Sequence, residues 1–97
     1  MTLQDLHQLL RAERDRVDAS LKAFGIKGSC IILVAEHPEG GISAQRNRYG
    51  ETAEDASKSV AVALIEVSDI ADSFLPFGIN IAELANAIDI QERSDAN

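Results

Sequence analysis

The stretch Ser29-Cys30-Ile31-Ile32-Leu33-Val34-Ala35-Glu36-His37-Pro38-Glu39-Gly40-Gly41-Ile42-Ser43-Ala44-Gln45-Arg46-Asn47-Arg48-Tyr49 decides the fold. Ser29 to Ala35 is short, apolar and β-branched, which predicts a strand covered on both faces. His37 to Gly41 concentrates the proline and glycines of a turn, and His37 reads as part of an exposed hairpin tip. Ile42 to Tyr49 follows as a second, far more polar strand. Period-two alternation puts Ile42, Ala44, Arg46 and Arg48 on one of its faces and Ser43, Gln45, Asn47 and Tyr49 on the other. That polarity marks a sheet edge. A two-stranded ribbon is marginal alone, so it calls for helices packed on it and a further strand, from the 77–81 segment or from a second copy of the chain.

Helices flank the hairpin. Upstream, Thr2-Leu3-Gln4-Asp5 reads as an N-cap with an acid at N3, and Leu3, Leu6, Leu10, Val17, Leu21 and Phe24 recur at helical spacing. A first helix is expected over about 3–24, closed by Gly25 at the C′ position with Ile26 folding back. Its outer face alternates in sign, and Asp18 with Lys22 stands in the favourable i,i+4 order. Downstream, Thr52 caps a second helix over about 53–74, with Glu54 and Asp55 in its first turn. From Val60 to Val67 every residue but Glu66 is apolar, wider than one covered stripe requires, which makes this helix central or part of a subunit interface formed by Val60, Val62, Leu64, Ile65 and Val67. Leu75-Pro76-Phe77-Gly78 breaks it. Asn80 then caps a third helix over about 81–91, with Leu84, Ala85 and Ile88 as its buried face and a frayed tail over 92–97. The order α-β-β-α-α has no βαβ crossover, so the expectation is one α+β domain over residues 1–97, its helices packed on a small antiparallel hairpin sheet.

Charge is unevenly placed along the chain. Residues 1–50 carry seven Lys/Arg and six Asp/Glu (+1), whereas residues 51–97 carry two and ten (−8), so the second half holds the acidity behind the net −7. Such a surface repels nucleic acid and anionic membranes and attracts basic proteins. The single cysteine, Cys30, lies within the apolar run and cannot form an internal disulfide, which fits a reducing, cytoplasmic setting. No basic flank leads into an apolar stretch, and no run approaches the roughly 18 apolar residues of a membrane span.

Chemistry-bearing residues are sparse. His7, His37 and Cys30 are the distinctive candidates, and none has a base or nucleophile at recognisable spacing, so no catalytic residue is assigned. One cysteine with two separated histidines gives no zinc pattern, the acids do not follow a calcium loop, and no glycine-rich phosphate loop precedes a helix; neither metal nor cofactor is expected. The basic feature is Arg46 and Arg48 with Tyr49 at the strand end, a secondary contact at most, because two or three charges give little phosphate affinity at physiological salt. Asp69 and Asp72 fall at the end of the second helix, where each negative charge costs about 0.3 to 1 kcal/mol against the helix dipole. With Glu66 on the same helix and Glu83, Asp89 and Glu92 on the third, they form the candidate partner-binding surface.

The junction Arg48-Tyr49-Gly50-Glu51-Thr52-Ala53-Glu54-Asp55-Ala56 resembles the strand-to-helix turn of HicB-type antitoxins, which neutralise small RNA-cleaving toxins; the preceding strands lack that family's Pro-Gly element. The same stretch resembles the end of a double-stranded RNA-binding domain, but Glu54 and Asp55 stand where that family places lysines for the phosphates. Direct nucleic-acid binding is therefore not expected. The leading expectation is a small acidic inhibitor or modulator that occupies a basic, nucleic-acid-handling surface of another protein, of the immunity, antitoxin or phage anti-defence (anti-CRISPR) kind. The alternatives are an oligomeric structural or adaptor protein, most simply a homodimer, and a small-ligand binder at a dimer interface.

Overall fold

The computed structural model describes the backbone of residues 1–95 and the side chains of residues 1–91. Its elements are helix α1 (Leu3–Phe24), strands β1 (Gly28–Glu36) and β2 (Ile42–Gly50), helix α2 (Ala53–Asp72), a 3-10 turn at Leu75–Phe77 and helix α3 (Ile81–Asp95). This is the expected α+β order. The expected frayed tail is instead helical through Asp95, with residues 96–97 outside the described part, and α2 ends at Asp72 where the intrahelical bonding gives way to turns at Ser73 and Phe74. The chain divides into two compact units, Met1–Val62 and Ala63–Asn97, and α2 runs through the boundary.

In the first unit, α1 starts with a complete capping box. The Thr2 hydroxyl accepts from the Asp5 N–H at 3.1 Å, and the Asp5 carboxylate accepts from the Thr2 N–H at 2.8 Å. Two orphan donors of the first turn are thus satisfied. The helix stops at Gly25, whose φ of 94° is the left-handed region that glycine enters without steric cost. Asp18 and Lys22 form the expected pair at 2.9 Å, and the Lys22 ammonium also lies 4.8 Å from the Tyr49 ring centre.

The strands pair antiparallel from Gly28↔Gly50 to Glu36↔Ile42. Alternation sends Ser29, Ile31, Leu33 and Ala35 with Ser43, Gln45, Asn47 and Tyr49 to one face, which α1 covers with Leu3, Leu6, Leu10, Val17 and Leu21. Ile31 is the one buried apolar side chain among the described residues. The other face, Cys30, Ile32, Val34 and Glu36 with Ile42, Ala44, Arg46 and Arg48, is exposed except for the half-buried Cys30, so β1 is covered on one side only and not on both. The sheet has two strands among the described residues. Residues 77–81, expected to offer a third, instead form the end of the 3-10 turn, Gly78 at φ 74°, and the start of α3.

Sheet and helix meet where the chain lacks side chains. A Cβ on Gly28 would lie 2.7 Å from the Asp55 carbonyl oxygen, and one on Gly50 would lie 2.5 Å from the Thr52 carbonyl oxygen and closer still to the Ala56 nitrogen. This paired end of the hairpin is where the first turns of α2 come against the strands. Thr52 caps that helix as expected, its hydroxyl accepting from the Asp55 N–H at 3.1 Å.

In the second unit, the Asn80 side-chain oxygen caps α3 by accepting from the Glu83 N–H at 3.1 Å. A 310 Å³ depression between the end of α2 and the start of α3 is lined by Ala71, Asp72, Leu75 and Ile81 among others. Neither helix buries a side chain among the described residues. Leu84 and Ile88, expected inside, are 50% and 42% exposed.

Candidate functional site

The histidines occupy structural positions. His7 Nδ1 lies 2.6 Å from Ser43 Oγ, joining α1 to β2 across 36 positions of sequence, and the Ser43 side chain is fully buried. A Ser–His pair is the start of a nucleophilic site, but this hydroxyl has no open path to a substrate and its bond works as a strap between helix and sheet. Arg14 makes a second strap, donating to the Gln45 side-chain oxygen at 3.0 Å. His37 is buried and not exposed as its turn position suggested. Its Nδ1 accepts from the Glu39 N–H at 3.1 Å, so its Nε2 carries the proton donated to the Met1 carbonyl at 2.7 Å. Cys30 is half-buried on the outer sheet face. Among the described residues no group of three or more His, Cys, Asp and Glu is placed to hold a metal ion, and no helix is long and apolar enough to cross a membrane.

The large feature is apolar and exposed. Along α2, Val60, Val62, Leu64, Ile65, Val67 and Ile70 all stand open, Leu64 at 67% and Ile65 at 58%, and Phe77 after the helix reaches 78%. At 100° per residue, Val60, Ala63, Leu64, Val67, Ile70 and Ala71 share an arc of about 120°, and Val62, Ile65, Glu66, Asp69 and Asp72 share the opposite one. One side of α2 is wholly apolar; the other is apolar with an acidic margin. Soluble monomers rarely leave contiguous apolar surface on this scale uncovered.

The acids are partly gathered. Glu66, Asp69 and Asp72 share one side of α2, all exposed, and together with Glu83 they form no ion pair among the described residues. No basic residue occupies the last turn of α2, so the unfavourable placement of Asp69 and Asp72 against the helix dipole is not relieved locally. Glu83 lies in the first turn of α3 and Asp89 about 120° further around it, so these do not extend a single stripe. The Glu92 side chain lies outside the described residues.

Arg46 and Arg48 project from the outer sheet face, as alternation predicted, and neither forms an ion pair among the described residues. Two depressions adjoin them. One of 460 Å³ is lined by Cys30, Ile32, Arg46, Asn47, Arg48 and Val60, and one of 450 Å³ by Ile32, Ala44, Gln45 and Arg46. Tyr49 faces the other way, toward Lys22 of α1, so it does not join the arginines. The His7–Ser43 strap has no signature in the sequence, because nothing local links residues so far apart. The open outer face could have been read from Arg46 and Arg48, whose charges on one side of β2 argue against burial there. Compared with known protein families, curated proteins and solved structures, the chain matches none.

Proposed function

We propose that this chain is a non-catalytic protein-binding module that works as a homodimer, a structural or adaptor protein of the cytoplasm whose helices α2 and α3 carry the assembly surface. One observation supports this most directly: among the described residues Ile31 alone of the apolar side chains is buried, while the large apolar side chains of α2 from Val60 to Ile70 stand open to solvent. Burying a Val, Leu or Ile side chain contributes about 1.5 to 3 kcal/mol, so covering the half-exposed Val60, Leu64, Val67 and Ile70 contributes several kcal/mol to association. A second copy offers the same surface, and two-fold pairing of identical patches is the commonest closed assembly.

Light scattering on the wild-type chain and on Leu64→Lys tests the reading. The wild type should have twice the mass of the 10.5 kDa chain, and Leu64→Lys should shift toward the single chain with its helical circular dichroism largely retained. A wild type that stays monomeric at every concentration overturns the reading.

The exposed acids favour a second reading, an inhibitor that occupies a basic, nucleic-acid-handling surface of another protein. Its support is Glu66, Asp69 and Asp72 on one side of α2 without a basic partner among the described residues. Capture of a basic protein by the wild type, lost with Asp69→Asn plus Asp72→Asn and weakened by salt, would favour it; recovery of the chain alone would count against it.

A further inference from the structure

We infer that the outer face of the hairpin sheet is the receptor for α2 of a second copy, and that two copies exchange these contacts reciprocally. The inference rests on the self-association reading and adds a second contact, made by the side of α2 opposite Leu64. The sheet face has an apolar middle, Ile32, Val34, Ile42 and Ala44, a basic end, Arg46 and Arg48, and a single acid, Glu36, at the end away from the arginines. One side of α2 has the complementary make-up, with Val62 and Ile65 beside Glu66, Asp69 and Asp72. The basic end of the sheet face and the acidic margin of α2 are opposite in charge. The arginines have no acid among the described residues, the three acids have no base, and both apolar parts are open, Val34 at 64%. The two depressions that share Ile32 and Arg46 give the face relief into which helix side chains can settle.

Area argues for a reciprocal arrangement. Two strands of nine residues present a face about 30 Å by 10 Å, or roughly 300 Å², so one helix docked on it removes roughly 600 Å² in total, below what a stable complex needs. A two-fold exchange repeats the contact and reaches roughly 1,200 Å², the lower bound of specific interfaces. It also sets Arg46 and Arg48 of each copy against the acids of the other, which offsets part of the repulsion between two chains of net charge −7.

The experiment is a charge reversal with complementation, read as the dimer dissociation constant by sedimentation. Arg46→Glu plus Arg48→Glu in one chain, and Asp69→Lys plus Asp72→Lys in another, should each weaken self-association at least about ten-fold, since both contacts of each symmetric dimer then oppose like charges. Mixing the two variants should restore dimers near wild-type strength, because in the mixed pair one contact keeps the native charges and the other has both reversed. A variant that failed to fold could not be restored in this way, so rescue separates the interface from misfolding. If the arginine reversal leaves a wild-type dimer intact, or if mixing restores nothing, the sheet-face inference is overturned while self-association stands. A wild-type chain that is monomeric throughout overturns both.

Discussion

The bond between His7 and Ser43 should behave asymmetrically when its partners are removed one at a time. Ser43 is fully buried and His7 only partly so. His7→Leu therefore leaves the serine hydroxyl enclosed without its 2.6 Å partner, and an unsatisfied buried group costs about 1 to 3 kcal/mol. Ser43→Ala removes the hydrogen bond from the side of a histidine that is only partly buried, so the cost falls toward the net worth of one hydrogen bond, about 0.5 to 1.5 kcal/mol. The double variant should be less destabilised than the sum of the singles by about 1 kcal/mol, the coupling of one bond. Urea unfolding followed by far-ultraviolet circular dichroism measures all four proteins, at one fixed protein concentration because association adds to apparent stability. Equal effects of the two single substitutions, or strict additivity, would refute the strap between α1 and β2.

Three further outcomes follow from the first unit. Gly50→Ala should destabilise by about 1 to 3 kcal/mol through overpacking against backbone atoms of α2, more than the roughly 0.4 to 1 kcal/mol that alanine gains by restricting the unfolded chain; a thermal melt showing equal or higher stability would place α2 away from the strand end. Ser29→Ala should leave stability unchanged or raise it by up to about 1 kcal/mol, because the Ser29 hydroxyl is buried without a hydrogen-bond partner, and a clear loss in chemical denaturation would contradict that assignment. The bonds from the Thr2 backbone N–H and side chain hold the Asp5 carboxyl below its ordinary value of 3.8. The folded value is thus lower than the unfolded one, so this contribution is complete above the unfolded value and is lost as pH falls through the depressed one. Asp5→Asn should flatten that part of the acid limb in a pH series of melting temperatures; an unchanged acid limb would count against the capping role.

Local features were legible in the sequence because local bonds produce them. Thr2 with Asp5, Gly25, the Asp18–Lys22 pair, Thr52 and the hairpin from Gly28 to Gly50 are set by groups a few residues apart or by the pleat. The Ser43 and His37 environments were not legible, since their partners His7 and Met1 lie 36 positions away. Burial was misread for a related reason. Apolar runs in β1 and α2 indicate surface that must leave water, yet they do not say whether the cover comes from the same chain. Ile32 and Val34, and Leu64 and Ile65, are exposed with the very composition that predicted burial. The acids of α2 were placed on one side by periodicity, whereas Glu83 and Asp89 on α3 diverge because six residues do not close a whole number of turns.

The central claim, that the apolar surface of α2 and α3 is covered by another copy, is tested most directly by amide hydrogen exchange at a low and a high concentration of the wild-type chain. The account predicts that amides over residues 60–70 and 81–90 exchange more slowly as concentration rises, along with those of Ile32 to Val34 if the sheet face is the receptor, while the α1 amides change little. Protection in α2 and α3 that does not depend on concentration would contradict it.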